Sequence, residues 1–223
     1  MIKAIIFDAD NTLYTINTKN AYNELYRYLA SHVKDTPSNI TNRHKEIVES
    51  LKKGKDPKKR TYSHAISTLL KAYDKETKDT IDQALEIFWE KVIDDLEETP
   101  TSILSIIDLK DRYTLAIASD EFLPILQKKL KRIFGPWADS FSIFVTPEDT
   151  NTMKPSPLYY EMSLKKLKIK PDQAIVVGDS YERDIRPAKS CGIKTVLLSD
   201  TLEGDPDYHI KKMIELKKIL EKP

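Results

Sequence analysis

The sequence predicts an open parallel α/β sheet with helices on both faces, interrupted after its first strand by an all-helical module. Two observations carry this reading. First, the short apolar runs Ala4 to Phe7, Leu115 to Ala118, Ala174 to Val177 and Thr195 to Leu198 are each too short for a helix and end in polar or turn residues. Strands buried on both faces look like this. Second, helical patterns recur between the later runs. Such alternation builds a covered parallel sheet with right-handed crossovers.

Taken in order, Ala4 to Phe7 opens the sheet. From about Asn17 to Leu96 no strand pattern appears and the periodicity is helical. Leu25, Tyr28, Leu29 and Val33 mark one helix. Thr36-Pro37 starts a second, as N-cap and first helical residue, running through Ile40, Ile47 and Leu51. Ile66, Leu69, Leu70 and Tyr73 mark a third. Thr77 caps a fourth, with Ile81, Leu85, Phe88 and Val92 on its buried side. Four amphipathic helices can bury a core of their own. The expected division is therefore 1–16 with 97–223 for the sheet, and 17–96 for the helical insert. The sheet resumes near Thr99-Pro100. Leu115 to Ala118 is followed by a helix over Phe122 to Phe134, with Leu123, Leu126, Leu130 and Ile133 apolar. Ser142 to Val145 is a weaker fifth strand. Helices over Leu158 to Leu167 and Tyr181 to Cys191 complete the alternation.

Composition narrows the partners. Charged residues make up 32% of the 223 residues, yet the net charge is only +1. That balance supplies no field to attract nucleic acid or an anionic membrane. One cysteine, Cys191, excludes an internal disulfide and suits a reducing compartment. The first apolar stretch stops at Phe7, too short for a signal-peptide core, and no run approaches a membrane span. A soluble cytoplasmic protein is expected. The basic run Lys52 to Arg60 reads as a solvated loop between helices. His32, His44, His64 and His209 show no ligand spacing and read as surface or packing residues.

The chemistry concentrates at strand ends. Asp8 and Asp10 are two apart, so on an extended strand end they project to one side. Open α/β sheets bind ligands at the carboxyl ends of their strands. The next strand ends in Ser119-Asp120, a later loop carries Lys154, and the fourth strand ends in Gly178-Asp179, with Asp184 close behind. These ends lie together in a parallel sheet. Four clustered carboxylates repel unless a cation is present. Hard oxygen ligands with room for water and a phosphate oxygen suit Mg²⁺.

This ordered set resembles the motifs of the haloacid dehalogenase-like superfamily. FDADNTLY resembles its first motif, with Asp8, Asp10 and Thr12. Ser119 stands in the second, Lys154 followed by Pro155 in the third, and Gly178-Asp179 with Asp184 in the fourth. The resemblance implies a Rossmann-like core with a four-helix (C1-type) cap. It also implies a phosphohydrolase acting through an aspartyl phosphate. Asp8 would then be the nucleophile and Asp10 the general acid and base. Ser119, Asp120 and Lys154 would bind the phosphoryl group. Mg²⁺ would be held by Asp8, the Asp10 main-chain carbonyl and Asp179. Asp184 would support the metal's water shell or orient Lys154, and Thr12 would orient Asp8 or serve the turn. The superfamily's dehalogenases lack an aspartate at the position of Asp10, which favours phosphate chemistry. Asp120 departs from the pattern, since Asn is usual there. Its main-chain N–H is expected to serve the phosphate, with the side chain turned away or capping the next helix. A helix opening near Asp120 is expected to add further main-chain donors. The implied partner is a small phosphorylated metabolite, such as a nucleotide, sugar phosphate or phosphoglycolate. A non-catalytic phosphoacceptor module is the alternative class, although its acceptor would follow a middle strand.

Overall fold

A computed structural model describes residues 1–53 and 61–221. The chain divides into two compact units, one of residues 1–16 with 96–223 and the other of residues 17–95.

The first unit is built on β1 (Ala4–Phe7), which lies at the centre of its sheet. A two-residue strand β2 (Tyr14–Thr15) follows the turn after β1. The helical unit contains α1 (Lys19–Val33), α2 (Pro37–Lys53), α3 (Tyr62–Lys71) and α4 (Lys78–Asp94). The chain then returns through β3 (Glu97–Glu98), α5 (Ser102–Leu109), β4 (Thr114–Ala118), α6 (Leu123–Phe134) and β5 (Phe141–Val145). Next come α7 (Pro147–Thr150), α8 (Leu158–Leu167) and β6 (Ala174–Gly178). A π-helical turn over Tyr181–Ile185 leads into α9 (Arg186–Ser190), then β7 (Lys194–Leu198), β8 (Tyr208–Ile210) and α10 (Leu216–Leu220).

Six strands form one parallel sheet in the order β5-β4-β1-β6-β7-β8, while β2 and β3 pair antiparallel. The apolar runs make strands because both faces are buried. Ile5 and Phe7 pack with Leu115, Ile117, Ile175 and Val177 on one face. Ile6 packs with Ala116, Ala118 and Val176 on the other. Period-two alternation thus sends apolar side chains into two cores. The sequence reading did not single out α5, β8 or α10. The short strand Tyr208–Ile210 forms only by adding to the edge of β7.

In α6 the buried positions are Leu126, Lys129, Leu130 and Phe134, so a lysine occupies a place that the apolar stripe skipped. In α4 the buried residues are Thr80, Ala84, Phe88 and Val92, one position round from the expected Ile81 and Leu85. The caps of the helical unit follow local chemistry. Thr36 Oγ1 accepts from Asn39 N at 3.3 Å, and the Thr77 side chain accepts from Thr80 N. Of the basic run Lys52 to Arg60, residues 54–60 lie outside the described residues.

His44 is a packing residue of the helical unit. It is buried, and its Nδ1 lies 3.0 Å from the Tyr26 hydroxyl. Burial lowers its pKa from 6.5 to about 4. The unfolded chain therefore takes up this proton at a pH where the folded one does not. The stability that neutral His44 permits is complete above about 6.5 and is lost progressively as pH falls towards about 4. The loss amounts to up to about 3 kcal/mol. Urea unfolding followed at Trp89, in a W137F background, should show wild type losing ground to H44M by that order between pH 7 and 4.5. A constant gap between the two proteins would refute the assignment.

Candidate active site

The site gathers at the carboxyl ends of β4, β1 and β6. Register places Phe7 beside both Ile117 and Val177, so Asp8, Ser119 and Asp179 leave adjacent strands at nearly the same level. Asp8 N donates to Val177 O at 2.9 Å, carrying the sheet one residue further. The chain then turns sharply, with Asn11 at φ 64° and Leu13 N donating to Ala9 O at 2.9 Å. That turn brings Thr12 back, and its Oγ1 donates to Asp8 Oδ2 at 3.1 Å.

Lys154 Nζ lies 2.5 Å from Asp8 Oδ1 and 2.6 Å from Asp184 Oδ1. The ammonium is buried and its two partners are anions, so their attraction is strong and water does not screen it. Tyr160 donates its hydroxyl to Asp184 Oδ1 at 3.2 Å, and Ser180 N donates to Asp184 Oδ2 at 3.3 Å. Both oxygens of Asp184 therefore have protein donors. Gly178 makes room for it, since a Cβ there would fall 2.5 Å from the Asp184 Cβ.

Asp8, Asp179 and Asp184 can each direct one carboxylate oxygen to within 4.8 Å of the others. Burial raises the Asp8 pKa, Lys154 opposes that, and Asp184 and Asp179 add to it. Burial and Asp184 raise Asp179 to about 6. One lysine thus leaves the trio short of positive charge. A hard divalent cation would supply it and reverse these shifts. The donor set fits such an ion.

The remaining expected residues divide. Ser119 is buried, and its Oγ accepts from Glu121 N at 3.1 Å. The Asp120 side chain turns towards the Lys154 loop and does not cap a helix. Its Oδ1 accepts from Lys154 N at 2.8 Å, and Oδ2 pairs with Arg183. The helix expected to open near Asp120 begins at Leu123. The N–H groups of Glu121, Phe122 and Leu123 are taken by Ser119 Oγ, the Glu121 carboxylate and Glu148. Local side-chain acceptors satisfy these donors.

Asp10 carries a partner that sequence reading missed. Lys129 Nζ donates to Asp10 Oδ1 at 3.1 Å and Oδ2 at 3.2 Å, and to Glu121 Oε2 at 2.8 Å. The lysine side chain is 0% exposed and lies 5.9 Å from the Tyr14 ring centroid. Burial raises the Glu121 pKa, against the pull of Lys129. The available signal was the lysine three residues after Leu126, on the apolar face of its helix. Tyr160 and Arg183 were also missed, and neither has a sequence signature beyond proximity to the motifs.

The chain belongs to the haloacid dehalogenase-like hydrolase family, whose model matches residues 2–192. It is 28% identical to glyceraldehyde 3-phosphate phosphatase of Methanocaldococcus jannaschii, over 99% of this chain and 98% of that one. It is 31% identical to pyrophosphatase PpaX of Bacillus cereus, over 56% of this chain and 60% of that one. Among solved structures, the HAD phosphatase of Thermococcus onnurineus superposes with a TM-score of 0.75 at 25% identity, covering 99% and 98% of the two chains. A 2-haloacid dehalogenase of Pseudomonas syringae shares the fold, with a TM-score of 0.76 at 20% identity and coverage of 99% and 98%. No helix among the described residues is long and apolar enough to cross a membrane.

The raised Asp179 sets the sign of one pH effect. Below about 6 its oxygen carries a proton that must leave before a cation binds. Affinity for a divalent cation should therefore fall, by about fourfold from this proton alone, between pH 7.5 and pH 5.5. Calorimetric titration at the two pH values checks this, and equal affinity at both would contradict it.

Proposed function

We propose that the protein is a Mg²⁺-dependent phosphatase that hydrolyses a small phosphate monoester through an aspartyl-phosphate intermediate. The observation that carries this reading is the pairing at the end of β1. Asp8 is held by Lys154 and Thr12, and a second carboxyl group, Asp10, stands two residues on.

Asp8 attacks phosphorus, and the bond to the leaving oxygen breaks as Asp10 gives that oxygen a proton. Water then attacks the phosphorus of the aspartyl phosphate and Asp10 takes the water's proton. Asp8 is freed and inorganic phosphate leaves. Lys154 and Thr12 occupy opposite oxygens of Asp8, and this fixes the carboxylate's plane for in-line approach. Lys154 and Ser119 stabilise the negative charge spreading over the phosphoryl oxygens. Asp8, Asp179 and the Asp10 main-chain carbonyl would hold Mg²⁺, with Asp184 keeping Lys154 in place. Bound there, the ion would lower the repulsion between an anionic nucleophile and an anionic ester.

Asp10 favours this chemistry over dehalogenation, because a halide needs no proton to leave and an alkoxide does. The relatives support a small substrate: one is named for a triose phosphate and another for pyrophosphate. Residues 17–95 we assign as the cap that governs substrate choice. A location in the cytoplasm accords with the lone cysteine.

With Mg²⁺, wild-type protein should release phosphate from p-nitrophenyl phosphate and from members of a panel of triose phosphates, pyrophosphate, nucleotides and phosphoglycolate. EDTA should stop it, and Mg²⁺ should restore it. D8N should lose about 10³-fold or more of kcat. Full turnover by D8N would sink the mechanism. A stable phosphoprotein without turnover would instead identify a phosphoacceptor module.

A further inference from the structure

The catalytic reading leaves one costly group unused. Lys129 is buried on α6, with its ammonium shared between Asp10 and Glu121. A buried ion pair is weak evidence for stability, because apolar side chains of similar volume often do as well or better. The arrangement around this one is specific. Both oxygens of Asp10 accept from the one ammonium, at 3.1 and 3.2 Å. Glu121, which anchors the same ammonium, is itself fixed: its N–H donates to Ser119 Oγ, and its Oε1 accepts from Phe122 N at 3.0 Å. A continuous polar strap therefore runs from Ser119 at the end of β4, through Glu121 and Lys129, to Asp10 after β1.

We propose that Lys129, anchored by Glu121, is a positioning residue for Asp10, holding the carboxyl group that passes a proton to the leaving group. The inference rests on the phosphatase reading above. Lys129 acts through Asp10, so its effect tracks how much the leaving group needs that proton. An alkoxide needs it and a nitrophenolate scarcely does. A residue that only supports the fold would lower both rates together.

The test compares kcat/KM for glycerol phosphate and p-nitrophenyl phosphate, because that parameter reports steps up to the first phosphoryl transfer. D10N sets the scale and should lose about 10²- to 10⁴-fold on the alkyl ester, and much less on the nitrophenyl ester. K129M should repeat the pattern, with a loss at least about tenfold larger on the alkyl ester, and K129R should recover part of it. Equal losses on both esters in K129M, or no loss on either, overturn the proposal. Equal losses in D10N overturn instead the acid role of Asp10. If K129M is unfolded by circular dichroism, E121Q decides. It removes the anchoring charge, so its loss should again fall mainly on the alkyl ester. An equal or absent loss in E121Q overturns the proposal.

Discussion

The ammonium of Lys154 sits between Asp8 and Asp184, and much of the site's geometry serves to keep it there. The lysine is buried, so its charge has to be met by protein groups. Asp184 meets it only because Gly178 lacks a side chain and the π-turn after β6 points the carboxylate inwards. Tyr160 and the Ser180 N–H donate to the same carboxylate. Asp120 fixes the same lysine from its backbone side, by accepting the Lys154 N–H. The sheet contributes register: β6 lies beside β1, so Asp184 and Asp8 meet across one strand spacing.

How much of this was legible in the sequence depends on which force shaped each part. The central strands were readable because burial on both faces leaves a continuous apolar run, as in AIIF and AIVVG. Their ends located Asp8, Ser119 and Asp179, since a parallel sheet brings such ends together whatever the loops do. β8 was not readable, because it is itself the edge strand, paired only with β7, and its Tyr-His-Ile has no pattern of its own. The small strands β2 and β3 are two residues each and owe their form to each other. The partners of Asp120 were hidden for a related reason. A side chain's direction depends on which loop passes within 3 Å, and spacing along the chain does not encode that.

Lys129 is the most instructive omission. In QKKLKR, five of six residues are charged or polar enough to read as a solvated face. The helical period nevertheless puts Lys129 beside Leu126 and Leu130, and the structure buries it. A lysine on an apolar stripe costs desolvation, so its place there implies an anion brought to it from elsewhere in the fold. Asp10 and Glu121 are those anions. The period identified the stripe, and the exception within the stripe pointed to the chemistry.

Asp8 and Asp10 leave the same strand two residues apart, yet their surroundings differ in kind. Asp8 leaves only 13% of its side chain exposed beside Lys154, Asp184 and Asp179, with a donor on each of its oxygens. Asp10 keeps about a third of its side chain exposed and takes one ammonium across both oxygens. An immobile carboxylate with its plane fixed suits a nucleophile, whose aim matters most. A partly exposed carboxyl group on one long, buried lysine suits a proton carrier, which must reach solvent-derived oxygen atoms and return. Environment therefore separates the work of two chemically identical groups. It does so with two lysines: one, from the loop after α7, pairs with Asp8, and the other, from the middle of α6, pairs with Asp10.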